Sequence, residues 1–310
     1  MNFKQKQVRR KYRIFNNIQW LIAPGLLIIM LNSCDIINPE EDIPAYIRIE
    51  TVDVKTYIGE GTDSHNITDI WLSIDGNFLG VYPIPATIPV LEKGEHLVSL
   101  QPGIKDNGIN GTPEIYPFYA PIEITMNLED NVTQTLTPVF EYSDNVQFSF
   151  IEEFEGTGHI FQEIRIGNED DKITLTTLPE DVFEGNHSAL IKLDTASRII
   201  EIGTISRYQT LGDNGYQTYL EVNYKSDVPV FFGLIGYETV GSFGGTSLYE
   251  NGFVESSGWK KIYFNLAKPV LTEGFEEYQV GFQAFIPQED GNYTQDSARV
   301  LLDNIKLVHF

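Results

Sequence analysis

The chain has 310 residues, of which 42% are hydrophobic and 12% aromatic, with a formal net charge of −23. That length and apolar content suffice for one large domain or two ordinary ones. The charge argues against a nucleic-acid partner, which needs a basic face, and one cysteine, Cys34, excludes an intrachain disulfide and a cysteine-based zinc cluster.

Residues 1–33 read as a signal peptide. Lys4, Lys6, Arg9, Arg10, Lys11 and Arg13 come first, with no acid. An apolar run from Ile18 to Leu31 follows, shorter than the ~20 residues that span a bilayer. The run ends in "LNSC", which resembles the lipobox of bacterial lipoproteins, with Leu31 three before Cys34 and Ser33 just before it. The resemblance implies cleavage before Cys34 and acylation of its thiol. One acyl chain anchors marginally and two or more anchor stably. Cleavage removes six of the 21 Lys and Arg and none of the 44 acids, so the mature chain carries −29. Residues 34–44 then form the lipidated cysteine and an acidic tether with Glu40, Glu41 and Asp42. The tether resembles the acidic export signals of Bacteroidetes surface lipoproteins, and it reads equally as a charged flexible linker. The expected location is the outer membrane, on its periplasmic or surface-exposed face.

Beyond the tether the apolar period is two. Ile70, Leu72 and Ile74 share a face, as do Leu220, Val222 and Tyr224, then Ile262, Phe264 and Leu266, and then Tyr278, Val280, Phe282 and Ala284. Turn signals separate such runs: Asp75-Gly76, Glu129-Asp130-Asn131, Asp213-Asn214-Gly215 and Asp290-Gly291-Asn292. The expected fold is all-β, with two β-sandwich domains, 45–142 and 143–310. In the first, "IWLSIDGNFLGVYPIPATIPVLEKGEHLVSLQPG" resembles PEGA-like, Ig-like surface modules. Asp75-Gly76 turns a hairpin there, Pro83, Pro85 and Pro89 demand edge-like extended chain, and Trp71 is expected to pack under a loop or a second sheet.

The second domain carries "FSFIEEFEG", "GNHSALIKL", "YLEVNYKSDVPVFFGL", "SSGWKKIYFNL", "VGFQAF" and "RVLLDNIKLVHF" in order. It resembles a galactose-binding-like jelly roll, the sandwich of many carbohydrate-binding modules. In that family the opening "FEG" and closing "LDN" segments lie side by side and often hold a structural calcium. The matching positions are Glu155 and Asp303, with oxygen from the Asn186 region. The residues give their own reason for a partner. Leu301, Asp303, Ile305 and Leu307 alternate onto one expected face, so the Asp303 carboxylate sits in apolar phase. A cation, backbone amides or a Lys or Arg would each satisfy it.

The stretch 236–258, "GYETVGSFGGTSLYENGFVESSG", is Gly-rich and reads as a long loop. Its aromatics Tyr237, Phe243, Tyr249 and Phe253 are candidate stacking residues for a glycan. Trp259 is expected to begin a strand and pack inward. Catalysis has little support. The five histidines are scattered, with no HExxH, and no GxSxG elbow occurs. The expectation is therefore a membrane-anchored, non-catalytic envelope lipoprotein that binds a glycan through its jelly roll. The alternatives are a protein-interaction or assembly subunit of an outer-membrane complex, and a polysaccharide hydrolase or lyase.

Overall fold

Period-two alternation becomes strand nearly throughout the computed structural model, which describes residues 41–165, 172–209, 211 and 217–310. The signal peptide and Cys34 lie outside the described residues. The first ten strands are β1 (Ala45–Ile49), β2 (Asp53–Val54), β3 (Asp69–Ile74), β4 (Asn77–Pro83), β5 (Ala86–Val90), β6 (Gly94–Lys105), β7 (Pro113–Ile115), β8 (Ile122–Leu128), β9 (Thr133–Leu136) and β10 (Val139–Phe140). They form a three-stranded sheet β5-β1-β9, a pair β10-β2 and a sheet β4-β3-β6-β7 in which β8 also pairs with β6. Asp75 and Gly76 join β3 to β4 with φ of 49° and 78°, the double positive φ of a type I′ hairpin turn. Pro89 lies in β5, an edge strand, where a missing N–H costs no ladder bond. Ile70, Leu72 and Ile74 face the core, and Trp71 lies on the opposite, solvent-side face beside Phe78 with ring centroids 5.5 Å apart.

The remaining strands are β11 (Gln147–Glu152), β12 (Phe161–Arg165), β13 (Ile173–Thr176), β14 (Ser188–Leu193), β15 (Ile199–Thr204), β16 (Thr218–Ser226), β17 (Val230–Tyr237), β18 (Thr246–Phe253), β19 (Ser256–Asn265), β20 (Glu277–Phe285), β21 (Gln288–Glu289), β22 (Asn292–Tyr293) and β23 (Ala298–His309). Among the described residues one short helix, α1 (Ala267–Glu273), ends at Gly274 in the left-handed conformation. A back sheet runs β13-β14-β23-β16-β19, with β11 also on β23, and a front sheet runs β12-β15-β20-β17-β18. Between them Val222, Phe232, Phe264, Val280 and Phe282 form the core of an antiparallel sandwich. No helix among the described residues is long and apolar enough to cross a membrane.

Three expectations change here. The stretch 236–258 is a hairpin, β17 returning as β18, rather than a long loop. Trp259, the fourth residue of β19, lies on its outer side with Lys261, half-buried against Phe183 at 5.3 Å, because Ile262 and Phe264 take the core phase. Asp303 does not share a face with Ile305 and Leu307. Asn223 pairs with Asp303 and Glu221 with Lys306, so β23 carries one extra residue there. Asn304 takes it up at φ 45°. The core phase passes from Val300 and Leu302 to Ile305 and Leu307, and Asp303 goes to the outer face.

The two sets of strands share a core. Tyr219, Tyr263 and Val308, on the outer face of the back sheet, pack into the apolar cluster of the first ten strands beside Tyr116 and Phe118. Next to them Glu221 is fully buried. Its carboxylate accepts from the Tyr116 hydroxyl at 2.5 Å and the Tyr142 hydroxyl at 2.7 Å, and Lys261 Nζ lies 2.6 Å away. Lys306 Nζ, also buried, donates to the Thr62 carbonyl at 2.9 Å. Burial disfavours the Glu221 charge, but Lys261 and Lys306 outweigh it and hold the carboxyl below its usual range.

Candidate functional site

The front sheet turns its second face outward, and its residues follow from the pairing. Gly203 faces Gly281, and Gly281 faces Gly233, so three glycines lie in one row across β15, β20 and β17. The row leaves space that side chains would fill. A Cβ on Gly281 would strike the Tyr249 hydroxyl, and one on Gly233 would strike the Leu248 carbonyl. Tyr249, half-buried, therefore lies down onto the sheet. Its hydroxyl donates to Glu201 at 2.7 Å, and Ser247 donates to the same oxygen at 3.0 Å.

The neighbouring row holds Glu201, Gln283 and Phe231 in register. Phe231 is 45% exposed and stacks on Phe285 with centroids 5.0 Å apart and planes at 24°. This aromatic pair, Phe231 exposed and Phe285 half-buried, lies beside a half-buried amide and a hydrogen-bonded carboxylate and tyrosine. Sequence reading passed over it because Phe231 and Phe285 are 54 positions apart and each sits in an ordinary strand.

Of the aromatics singled out in the sequence, the structure brings Tyr249 to this face. Tyr237 sits further along β17, 6% exposed, with its hydroxyl on Gln279 and the Arg207 guanidinium 3.5 Å over its ring. Phe243 is 98% exposed at the turn of the β17–β18 hairpin. Phe253 is 3% exposed, stacked on Tyr224 inside the core, so it offers no face to a ligand.

The candidate metal residues come together at one end of the back sheet. Glu155 accepts from the backbone N–H groups of Asn186 and His187, at 2.7 and 3.0 Å, and from the Asn186 amide at 2.9 Å. These bonds hold its carboxyl below the usual range. Gly185, at φ 68°, allows the approach, since a Cβ there would run into the Glu155 carboxylate. Asp303 accepts from the Ser188 hydroxyl at 2.5 Å and from the Asn304 N–H at 2.8 Å. Burial pushes its carboxyl up to about 7, the two hydrogen bonds offset part of that, and the charges of Glu184 and Glu155 add to it. Both polar atoms of the Asn304 side chain are buried without a partner. Among the described residues no group of three or more His, Asp or Glu is arranged to hold a metal, so a cation here would also draw on amide and main-chain oxygens.

No protein-family model matches the chain, and no curated protein matches it. Solved structures do. A xylan-binding domain of carbohydrate-binding module family 22 from Paenibacillus barcinonensis is 13% identical and covers 53% of this chain and 94% of its own, with a TM-score of 0.34. A structure from work on carbohydrate-binding modules of the β-sandwich superfamily is 15% identical over 87% of this chain and 99% of its own, also at 0.34. A family 29 carbohydrate-binding module from Piromyces equi is 12% identical over 53% of this chain and 91% of its own, at 0.31. These are likenesses of β-sandwich fold.

Proposed function

We propose that this chain is a non-catalytic glycan-binding protein of the cell envelope, held to the outer membrane by lipid on Cys34. The observation that carries the binding role is the Phe231–Phe285 pair beside Gln283, Glu201 and Tyr249. Aromatic faces stack on the C–H faces of pyranose rings, and the half-buried Gln283 amide is placed to meet hydroxyls, with the buried Glu201 holding Tyr249 beside it. Phe243, at the hairpin turn, is a rim contact for a longer chain. Affinity electrophoresis in gels containing xylan, glucomannan or hydroxyethylcellulose tests the reading. The wild-type chain should be retarded in at least one, and Phe231→Ala should lose at least tenfold in affinity with unchanged melting. Equal retardation of Phe231→Ala would refute the site. Replacing Cys34 with Ser tests the anchor: metabolic labelling of the chain with palmitate should be lost, and label retained at the wild-type level would refute lipidation.

A calcium ion at the Glu155, Asn186 and Asp303 cluster belongs to the same proposal. The residues fit it: a buried carboxylate and two further acids that raise its proton affinity would be relieved together by one hard cation. Its role would be structural, tying the β11 exit to the bulge of β23. A protein partner is the second reading. It is favoured by the solvent-side face of the first sandwich, where Trp71 packs beside Phe78, which is 59% exposed. Cross-linking in intact cells, with Phe78→Asp as control, tests it, and an unchanged adduct pattern would reject it.

A further inference from the structure

The turn after β6 enters the edge of the second sandwich at Asn107. Its N–H donates to the Tyr263 carbonyl at 3.0 Å, and its side-chain oxygen accepts from the Asn265 N–H at 3.1 Å and the Asn251 amide at 3.3 Å. Asn251 belongs to β18 and Asn265 to β19, so Asn107 spans the open side of the sandwich where its two edge strands part. Beside it lies a cavity of about 550 Å³, within the range of small-molecule sites. Its apolar lining includes Leu248 and Leu266, with Leu271 from α1; its polar lining is the three asparagines, Asp106 and the Glu250–Lys268 pair.

We infer that this cavity is a second saccharide site, separate from the front face, that takes an uncharged sugar unit. A carboxamide both donates and accepts, as does each sugar hydroxyl; Asn265 is held by Tyr219 and Ala267 and Asn107 by Asp106, Asn251 and the Asn265 N–H, so Asn251 is the amide best placed to turn to a ligand. The leucines suit the C–H face of a pyranose ring. The charges select against acidic sugars. Asp106 carries a carboxyl whose ionised form burial already disfavours, and Lys268 is committed to Glu250 at 3.1 Å. The site is composite, since Asp106 and Asn107 come from the first sandwich and the rest from the second. It exists only while the two are docked, which gives the buried Glu221 cluster a role in binding.

Calorimetric titration of the whole chain with xylohexaose, cellohexaose and mannohexaose, and with hexagalacturonate as the acidic arm, tests this. Phe231→Ala silences the front face. In that background a residual single equivalent of neutral oligosaccharide should remain, and hexagalacturonate should not compete for it. Ala267→Trp, which fills the cavity, and Asn251→Ala, which removes one amide, should each weaken the residual binding at least tenfold. Melting curves show whether either variant is unfolded, and the other then decides. If the wild type binds but Phe231→Ala alone abolishes everything, or if both cavity variants bind as their parent does, the second site is overturned and the front-face reading stands. If the wild type binds none of the neutral oligosaccharides, both readings fall.

Discussion

Replacing Glu221 with Ala would leave two buried ammonium groups and two tyrosine hydroxyls facing a small apolar gap. Lys261 keeps the Ser64 carbonyl as acceptor and Lys306 keeps Thr62, but both lose the carboxylate buried with them, and Lys306 is left with only Glu153 and Glu60. Tyr116 and Tyr142 lose their acceptor. Breaking one buried ion pair costs about 3–5 kcal/mol, so that is the floor expected here. For a folded unit of this size each kcal/mol moves the melting temperature by roughly 2–4 °C, and the predicted fall is therefore about 6–20 °C. Differential scanning calorimetry at pH 7 measures it. The companion variant Glu221→Leu/Lys261→Met/Lys306→Met removes all three charges. It should regain most of the loss, because a buried ionic group replaced whole by apolar residues of like volume is often neutral. A loss below about 1 kcal/mol for Glu221→Ala, the scale of a surface pair, would refute the claim that this cluster is buried and shared between the sandwiches.

Asp303 predicts an unusual pH dependence. Its folded carboxyl titrates at about 7 against 3.8 unfolded, so the folded state holds the extra proton, and stability contributed in acid is lost as pH rises from 4 through 7, by roughly 4 kcal/mol. In EDTA the wild type should melt lower at pH 8 than at pH 5, Asp303→Asn should flatten that slope, and calcium should restore only the wild type; identical pH curves for the two would reject it. Lys306 has the opposite sign. Burial lowers it from 10.5 to about 8, so its burden on the fold is complete below pH 8 and is relieved by roughly 3 kcal/mol towards pH 10.5. Lys306→Met should lack that gain, measured as the wild-type minus variant difference in urea midpoints, and a constant difference from pH 7 to 10 would count against it. Gly281→Ala should cost about 1–3 kcal/mol by overpacking and weaken front-face glycan binding, because Tyr249 must lift off Glu201; unaltered melting and binding would show that Tyr249 is not seated on the glycine row.

Local chemistry was legible and long-range register was not. Asp75-Gly76 identifies its turn because double positive φ is a local demand, and the alternation of residues 278–284 identifies a core face because side-chain direction repeats every two residues. The same rule misplaced Asp303. One extra residue at the Asp303–Asn304 bulge reverses the phase, and only the pairing with β16 reveals it. The 236–258 stretch looked like a loop because its glycines are usual in loops. Here Gly245 and Gly252 serve close packing instead: a Cβ would strike Ile235 in the first case and the Val230 carbonyl in the second. The Gly203-Gly281-Gly233 row is invisible in sequence, since no two of its members are near neighbours along the chain.

The Glu221 cluster shows the same limit from the side of function. Glu221, Lys261 and Lys306 lie among outward positions that mix polar residues with Tyr219, Trp259, Tyr263 and Val308, and each reads alone as a solvated charge. Their burial is a consequence of the first sandwich covering that part of the back sheet, with Tyr116 and Tyr142 arriving from two different loops. Once covered, the three charges make slippage between the sandwiches costly, because any shift leaves one of them without its partner. The apolar contacts of Tyr219, Tyr263 and Val308 supply attraction but little direction; the ion cluster supplies the register. That register sets where Asn107 meets β18 and β19, and hence whether the composite cavity forms. Glu221→Ala should therefore weaken the residual saccharide binding of the Phe231→Ala chain even at temperatures where it remains folded.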